Sequence, residues 1–145
     1  MNNKYEKIAI DLLRRYSIQV RNYRKKTTGR AYIKTREIEV PHPKTRVSLL
    51  VFCHEVAHII YGEIKPKYYS EFLAEKWAMS YVRKMGIRVP HSYIQRAKKY
   101  ILFKIKQADK RGRKKGIPKI VTDFINIKGR DKFTRGRKLG VKKGE

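Results

Sequence analysis

Cysteine is nearly absent. The chain has one, Cys53, so no internal disulfide can staple the fold. Lying in an apolar run just before a histidine, it reads as a small buried hydrophobe. Acidic residues are also scarce: 12 Asp and Glu face 38 Lys and Arg, a formal net charge of +26. Such an excess repels itself in a compact state and calls for a polyanion, of which nucleic acid is the commonest. No base-reading motif accompanies it, so the expected contact is non-specific. Long apolar runs are missing too. None approaches the roughly 18 residues of a membrane span, and Met1-Asn2-Asn3-Lys4-Tyr5-Glu6 holds no apolar stretch of signal-peptide type. The expectation is a cytoplasmic protein with no membrane partner. A length of 145 residues suits one domain with a modest core rather than two.

What is present is a run of short elements. Residues 4–16 place Ile8, Leu12 and Leu13 on one helical stripe, with Tyr5 and Tyr16 extending it. Ser17 to Tyr23, Ala31 to Ile33 and Glu37 to Val40 read as strands, separated by the polar turn Arg24 to Gly29 and ended by Pro41-His42-Pro43. A small antiparallel sheet of about three strands is expected. A helix over 46–61 follows, with Thr45 as N-cap and Gly62 as its stop. It is apolar nearly all round, as a central buried helix is. Two further helices are predicted over 68–84 and 92–110. The class is therefore α+β. Composition shifts at residue 111, which divides the chain into a domain over 1–110 and a basic, partly flexible extension over 111–145. Within that extension Ile120, Val121, Phe124 and Ile125 form one apolar patch.

Inside the apolar helix stand His54-Glu55-Val56-Ala57-His58. Histidines four apart share a helix face one turn apart, so both imidazoles reach one metal ion at about 2.0–2.1 Å. Glu55 sits beside that ion rather than on it. From there it takes a proton from a metal-activated water, the logic of the HExxH metalloprotease pattern, and returns it to the leaving amine as general acid. Such motifs also arise by chance, and two histidines can merely satisfy each other. Against this, a buried charge such as Glu55 is costly without a partner, and a metal centre removes the cost.

Zinc needs a third protein ligand. The helix over 68–84 offers Glu71 and Glu75, again four apart, beside Ala74 and Ala78, whose small side chains allow close helix approach. One carboxylate would bind zinc and the other would accept the free N–H of a ligating histidine. Glu71 is preferred as ligand and Glu75 as support, with the reverse assignment open. The alternative for either is a solvated helix face or an ion pair with lysine. His42 and His91, each beside a proline, read as loop histidines. Either of them, or Tyr61, Tyr68 or Tyr69, would serve as a donor to a developing oxyanion, and the sequence does not choose among them.

The motif with its preceding apolar segment Val47 to Phe52 resembles the active-site helix of small gluzincin-type metallopeptidases. Glu71-Phe72-Leu73-Ala74-Glu75-Lys76-Trp77-Ala78 is similar to a segment of the ImmA/IrrE family, and the likeness covers roughly residues 5–90. It implies a minimal gluzincin-like domain and a zinc-dependent cytosolic endopeptidase whose substrates are DNA-associated proteins such as repressors. In it His54, His58 and Glu71 are ligands and Glu55 the catalytic base. The chain departs from the family in two places: Leu73 stands where the family has glutamate before the alanine, and Pro90 comes later than the family's proline. SprT-like proteases share HExxH and a basic character but take a third histidine, for which no well-placed candidate exists.

Basic residues crowd the last third of the chain: Arg111, Arg113, Lys114 and Lys115, then Arg135, Arg137 and Lys138. At this density they neutralise phosphates without reading bases. A solubilising tail, or attraction to acidic proteins or lipids, is the other reading. Deleting residues 111–145 is expected to weaken duplex binding at low salt and flatten its salt dependence. Unchanged affinity and salt slope in a fluorescence anisotropy titration would remove nucleic acid as a partner of this segment.

Overall fold

The helix that carries the motif begins where Thr45 leaves the extended backbone. Its hydroxyl accepts the Ser48 N–H at 3.1 Å, and Ser48 Oγ accepts the Thr45 N–H at 2.9 Å, so the first turn is capped from both directions. This computed structural model describes residues 3–110 and 116–125. The chain divides into two compact units, Met1–Ala97 and Lys98–Glu145.

In the first unit the order is α1 (Lys4–Tyr16), β1 (Gln19–Arg24), β2 (Arg30–Tyr32), β3 (Glu37–Pro41), α2 (Arg46–Tyr61) and α3 (Lys67–Lys84), followed by the start of α4 (His91–Lys110). Asn3 and Glu6 form a capping box on α1, and Ser17 closes the helix in the left-handed region at φ 55°. The sheet corrects one expectation. Its order is β1-β3-β2, with β1 parallel to β3 and β2 antiparallel to β3, so it is mixed rather than antiparallel. The alternation of apolar and polar residues gives the period of a strand but not its direction. The hairpin β2–β3 turns tightly through Arg36, at φ 58°. The longer path through residues 25–29 takes the chain from β1 to the far edge, so β3 returns between the two. A register shift between Val20 and Asn22 bends β1.

Ile38 and Val40 are fully buried on the face of β3 turned to α2, while Glu37 and Glu39 on the other face pair with Arg21 at 2.7 Å and Arg24 at 3.0 Å. α2 also packs against α1 and α3, which makes it the centre of the unit. Leu49, Leu50, Phe52, Cys53, Val56 and Ala57 on it are wholly buried. Burial pushes the Cys53 thiol up to about 12, which leaves it protonated and unreactive.

In the second unit Ile101, Ile105 and Ala108 of α4 and Val121 of α5 (Lys119–Ile125) are buried, and the Lys98 ammonium lies 5.6 Å from the Phe124 ring centre. Val121 and Phe124 thus have structural roles, while Ile120 is exposed. The basic residues Arg111, Arg113, Lys114, Lys115, Arg135, Arg137 and Lys138 lie outside the described residues. No helix among the described residues is long and apolar enough to cross a membrane.

Candidate metal centre

α2 presents His54 and His58 to α3 one turn apart, their ring centres 4.7 Å from each other and their Nε2 atoms 3.1 Å apart. Close helix approach comes from small side chains: Ala57 on α2 and Ala74 and Ala78 on α3 are fully buried. The approach places Glu71 Oε1 2.9 Å from His54 Nε2 and 3.5 Å from His58 Nε2. Behind the rings, Ser70 Oγ lies 3.4 Å from His58 Nδ1, and Glu75 Oε2 lies 3.3 Å from His54 Nδ1. That last contact is at ion-pair distance but off the line of a hydrogen bond, so His54 Nδ1 is buried without an aligned partner. The other oxygen of Glu75 accepts a 2.6 Å hydrogen bond from the Tyr93 hydroxyl.

Five ionisable side chains are buried here: His54, Glu55, His58, Glu71 and Glu75 are each at most 9% exposed. Burial disfavours the His54 cation. The Glu75 charge, contacts with the Glu71 and Glu75 carboxylates and the Glu55 charge outweigh it, holding the imidazolium well above the ordinary histidine range. For Glu71, burial is likewise overcome by hydrogen bonds from His54 and His58, which keep its carboxyl well below the usual carboxylate range. Glu55 goes the other way. Burial lifts it, and the two histidines offset this only in part. Tyr93 is pushed well above the tyrosine range by burial and by Glu75, so it remains a donor.

His54, His58 and Glu71 could hold a metal ion. Their three facing atoms form a triangle of 2.9, 3.1 and 3.5 Å. Protons on two imidazoles cannot satisfy three such contacts with good alignment. Three ligand atoms at about 2.0–2.1 Å from one tetrahedral ion stand about 3.3–3.4 Å apart, close to what is observed. A divalent cation also answers the charge, since three buried carboxylates exceed what the histidines neutralise. With Nε2 of His54 on a metal, its proton sits on the buried Nδ1, and Glu75 is the acceptor in reach. Lys67 Nζ, 3.6 Å from Glu71 Oε2, is a solvent-exposed partner and adds little.

Glu55 lies against the loop before β2. A Cβ built on Gly29 would lie 2.6 Å from Glu55 Cγ and 2.9 Å from its Oε2, so only glycine lets the backbone approach the carboxylate this closely. From sequence alone Gly29 reads as a turn residue, and neither Ser70 nor Tyr93 stands out as part of a site. A tyrosine in a core stripe does carry a signal, because its hydroxyl must find a partner when buried. The other named candidates fall elsewhere. His42 stacks on Tyr23 at 4.0 Å, His91 is exposed at the start of α4, and Tyr69 lies against Phe72. Neither they nor Tyr61 and Tyr68 bond to the cluster among the described residues.

No protein-family model, curated protein or solved structure matches the chain.

If the cluster takes up metal, the raised His54 pKa gives that uptake a pH dependence. In the metal-free protein the neighbouring carboxylates favour the protonated His54 ring, and a metal on Nε2 would displace that proton. Zinc affinity is therefore expected to strengthen as pH rises from mildly acidic to mildly alkaline, by roughly tenfold per unit for each proton released. It levels off above the His54 pKa. Competition titrations against a chelator check this, and an affinity independent of pH would remove His54 from the ligand set.

Proposed function

We propose that this chain is a zinc-dependent endopeptidase of gluzincin-like type, with His54, His58 and Glu71 holding the metal and Glu55 as general base. The observation that carries the reading is the placement of Glu55. Its side chain is buried, and it feels the charges of His54, His58 and Glu71, the three residues whose atoms could hold a metal ion. A site that only stabilises the fold has no use for such a group. When bound, zinc supplies Lewis acidity toward a carbonyl oxygen and makes water acidic enough to ionise near neutral pH.

The chain's own residues supply the rest. Burial makes Glu55 a stronger base than a solvated glutamate, suited to accept a proton from the attacking water. As the water oxygen bonds to the scissile carbonyl carbon, the C–N bond breaks, and Glu55 returns the proton to the leaving nitrogen. Gly29 keeps the backbone beside Glu55 without a side chain that would displace it. Glu75 and Ser70 brace the two imidazoles from behind. The proposed substrates are intracellular proteins, among them DNA-associated ones such as repressors, and the net charge of +26 favours a chain concentrated on nucleic acid.

That same charge favours a second reading, a nucleic-acid-binding protein whose zinc site is structural or vestigial. Glu55→Gln separates the two. Under the endopeptidase reading the variant binds zinc as the parent does and loses about 10²–10⁴-fold in cleavage rate over a panel of quenched fluorescent peptides and an unfolded protein substrate. Equal cleavage by the parent and Glu55→Gln would leave the structural reading.

A further inference from the structure

We infer that Tyr93 is a positioning residue for the metal centre, acting through Glu75 on the ring of His54. The inference rests on the reading of His54 as a metal ligand. Its observations are two contacts made by one carboxylate. Glu75 Oε1 accepts the Tyr93 hydroxyl at 2.6 Å, an ordinary length for a hydroxyl on a carboxylate, and Oε2 stands 3.3 Å from His54 Nδ1. Tyr93 and Glu75 are both buried, so no bulk water substitutes for either contact.

A glutamate carboxylate turns freely about its last torsion, where the preference is broad. Attraction to the His54 ring draws the carboxylate near but does not by itself fix its angle about that torsion. The Tyr93 bond pins one oxygen and thereby sets where the other points. His54 Nδ1 is the one buried side-chain polar atom among the described residues without an aligned hydrogen-bond partner, and Glu75 is the acceptor in reach. The orientation of that carboxylate therefore decides which ring nitrogen keeps the proton and how Nε2 is aimed. Three helices take part: α4 holds the hydroxyl, α3 the carboxylate and α2 the imidazole. Loss of a partner directly behind a ligand lowers metal affinity by about 10–100-fold. Tyr93 acts one contact further out, so a loss of roughly tenfold, the low end of that range, is expected.

The test is a mutant cycle on the full chain, with zinc affinity read against a chromophoric chelator for the parent, Tyr93→Phe, Glu75→Gln and the double variant. Tyr93→Phe should bind about tenfold more weakly than the parent, and the double variant no more weakly than Glu75→Gln alone. Tyr81→Phe, which removes a tyrosine hydroxyl elsewhere on α3, should bind as the parent does. Parental affinity in Tyr93→Phe, or losses that multiply in the double variant, would overturn the inference. Should Glu75→Gln fail to fold, the visible absorption of the cobalt-loaded parent and Tyr93→Phe decides. Altered bands support the coupling, and superimposable spectra refute it. A parent that takes up no metal would sink the proposed function instead. The imidazole nitrogen resonances of His54 in the metal-free protein then settle the coupling, moving in Tyr93→Phe if it exists and standing still if it does not.

Discussion

Two carboxylates and two imidazoles share the buried seam between α2 and α3, with a third buried carboxylate, Glu55, next to His54 on α2, and the first unit is arranged around that concentration of charge. Burying one unpaired carboxylate is costly, and burying three beside each other is more so. The cost is spread over specific contacts. Glu71 lies against both imidazoles, Glu75 is bonded to Tyr93, and Glu55 is flanked by two histidines and a glycine loop. The balance still favours a cation at the facing atoms of His54, His58 and Glu71.

The surrounding fold packs α2 and α3 together along this seam. A helix apolar nearly all round can carry polar groups only at the face where another element answers them, and α3 answers with Ser70, Glu71 and Glu75 in one and a half turns. Alanines at the crossing bring the helices near enough for a carboxylate to touch both imidazoles. On the opposite side β3 buries Ile38 and Val40 against α2, while the loop before β2 brings Gly29 to Glu55. Glu55 therefore has the Gly29 loop against its side chain and feels the charges of both histidines.

Much of this was legible in residue order. Thr45 and Gly62 bound α2 as their capping chemistry predicts, and the four-residue spacing of His54 and His58 and of Glu71 and Glu75 put each pair on one face. What periodicity does not encode was not legible. The direction of β1 against β3 depends on where the chain crosses, so the sheet came out mixed. Tyr93 fits an apolar stripe as well as a hydrogen-bonded one, and its role depends on Glu75, far away in sequence and across a helix boundary. Gly29 reads as a turn residue until the Glu55 carboxylate is seen against it. Contacts between distant segments carry all three features.

The central claim is that two histidines and one glutamate hold a metal ion with a position left open for chemistry. X-ray absorption at the zinc edge of the loaded full chain tests it most directly. The expected result is two imidazole nitrogens and one carboxylate oxygen at about 2.0–2.1 Å, with one exchangeable ligand that does not come from the protein. Four protein ligands, a sulfur at about 2.3 Å from Cys53, or a chain that retains no zinc would contradict it.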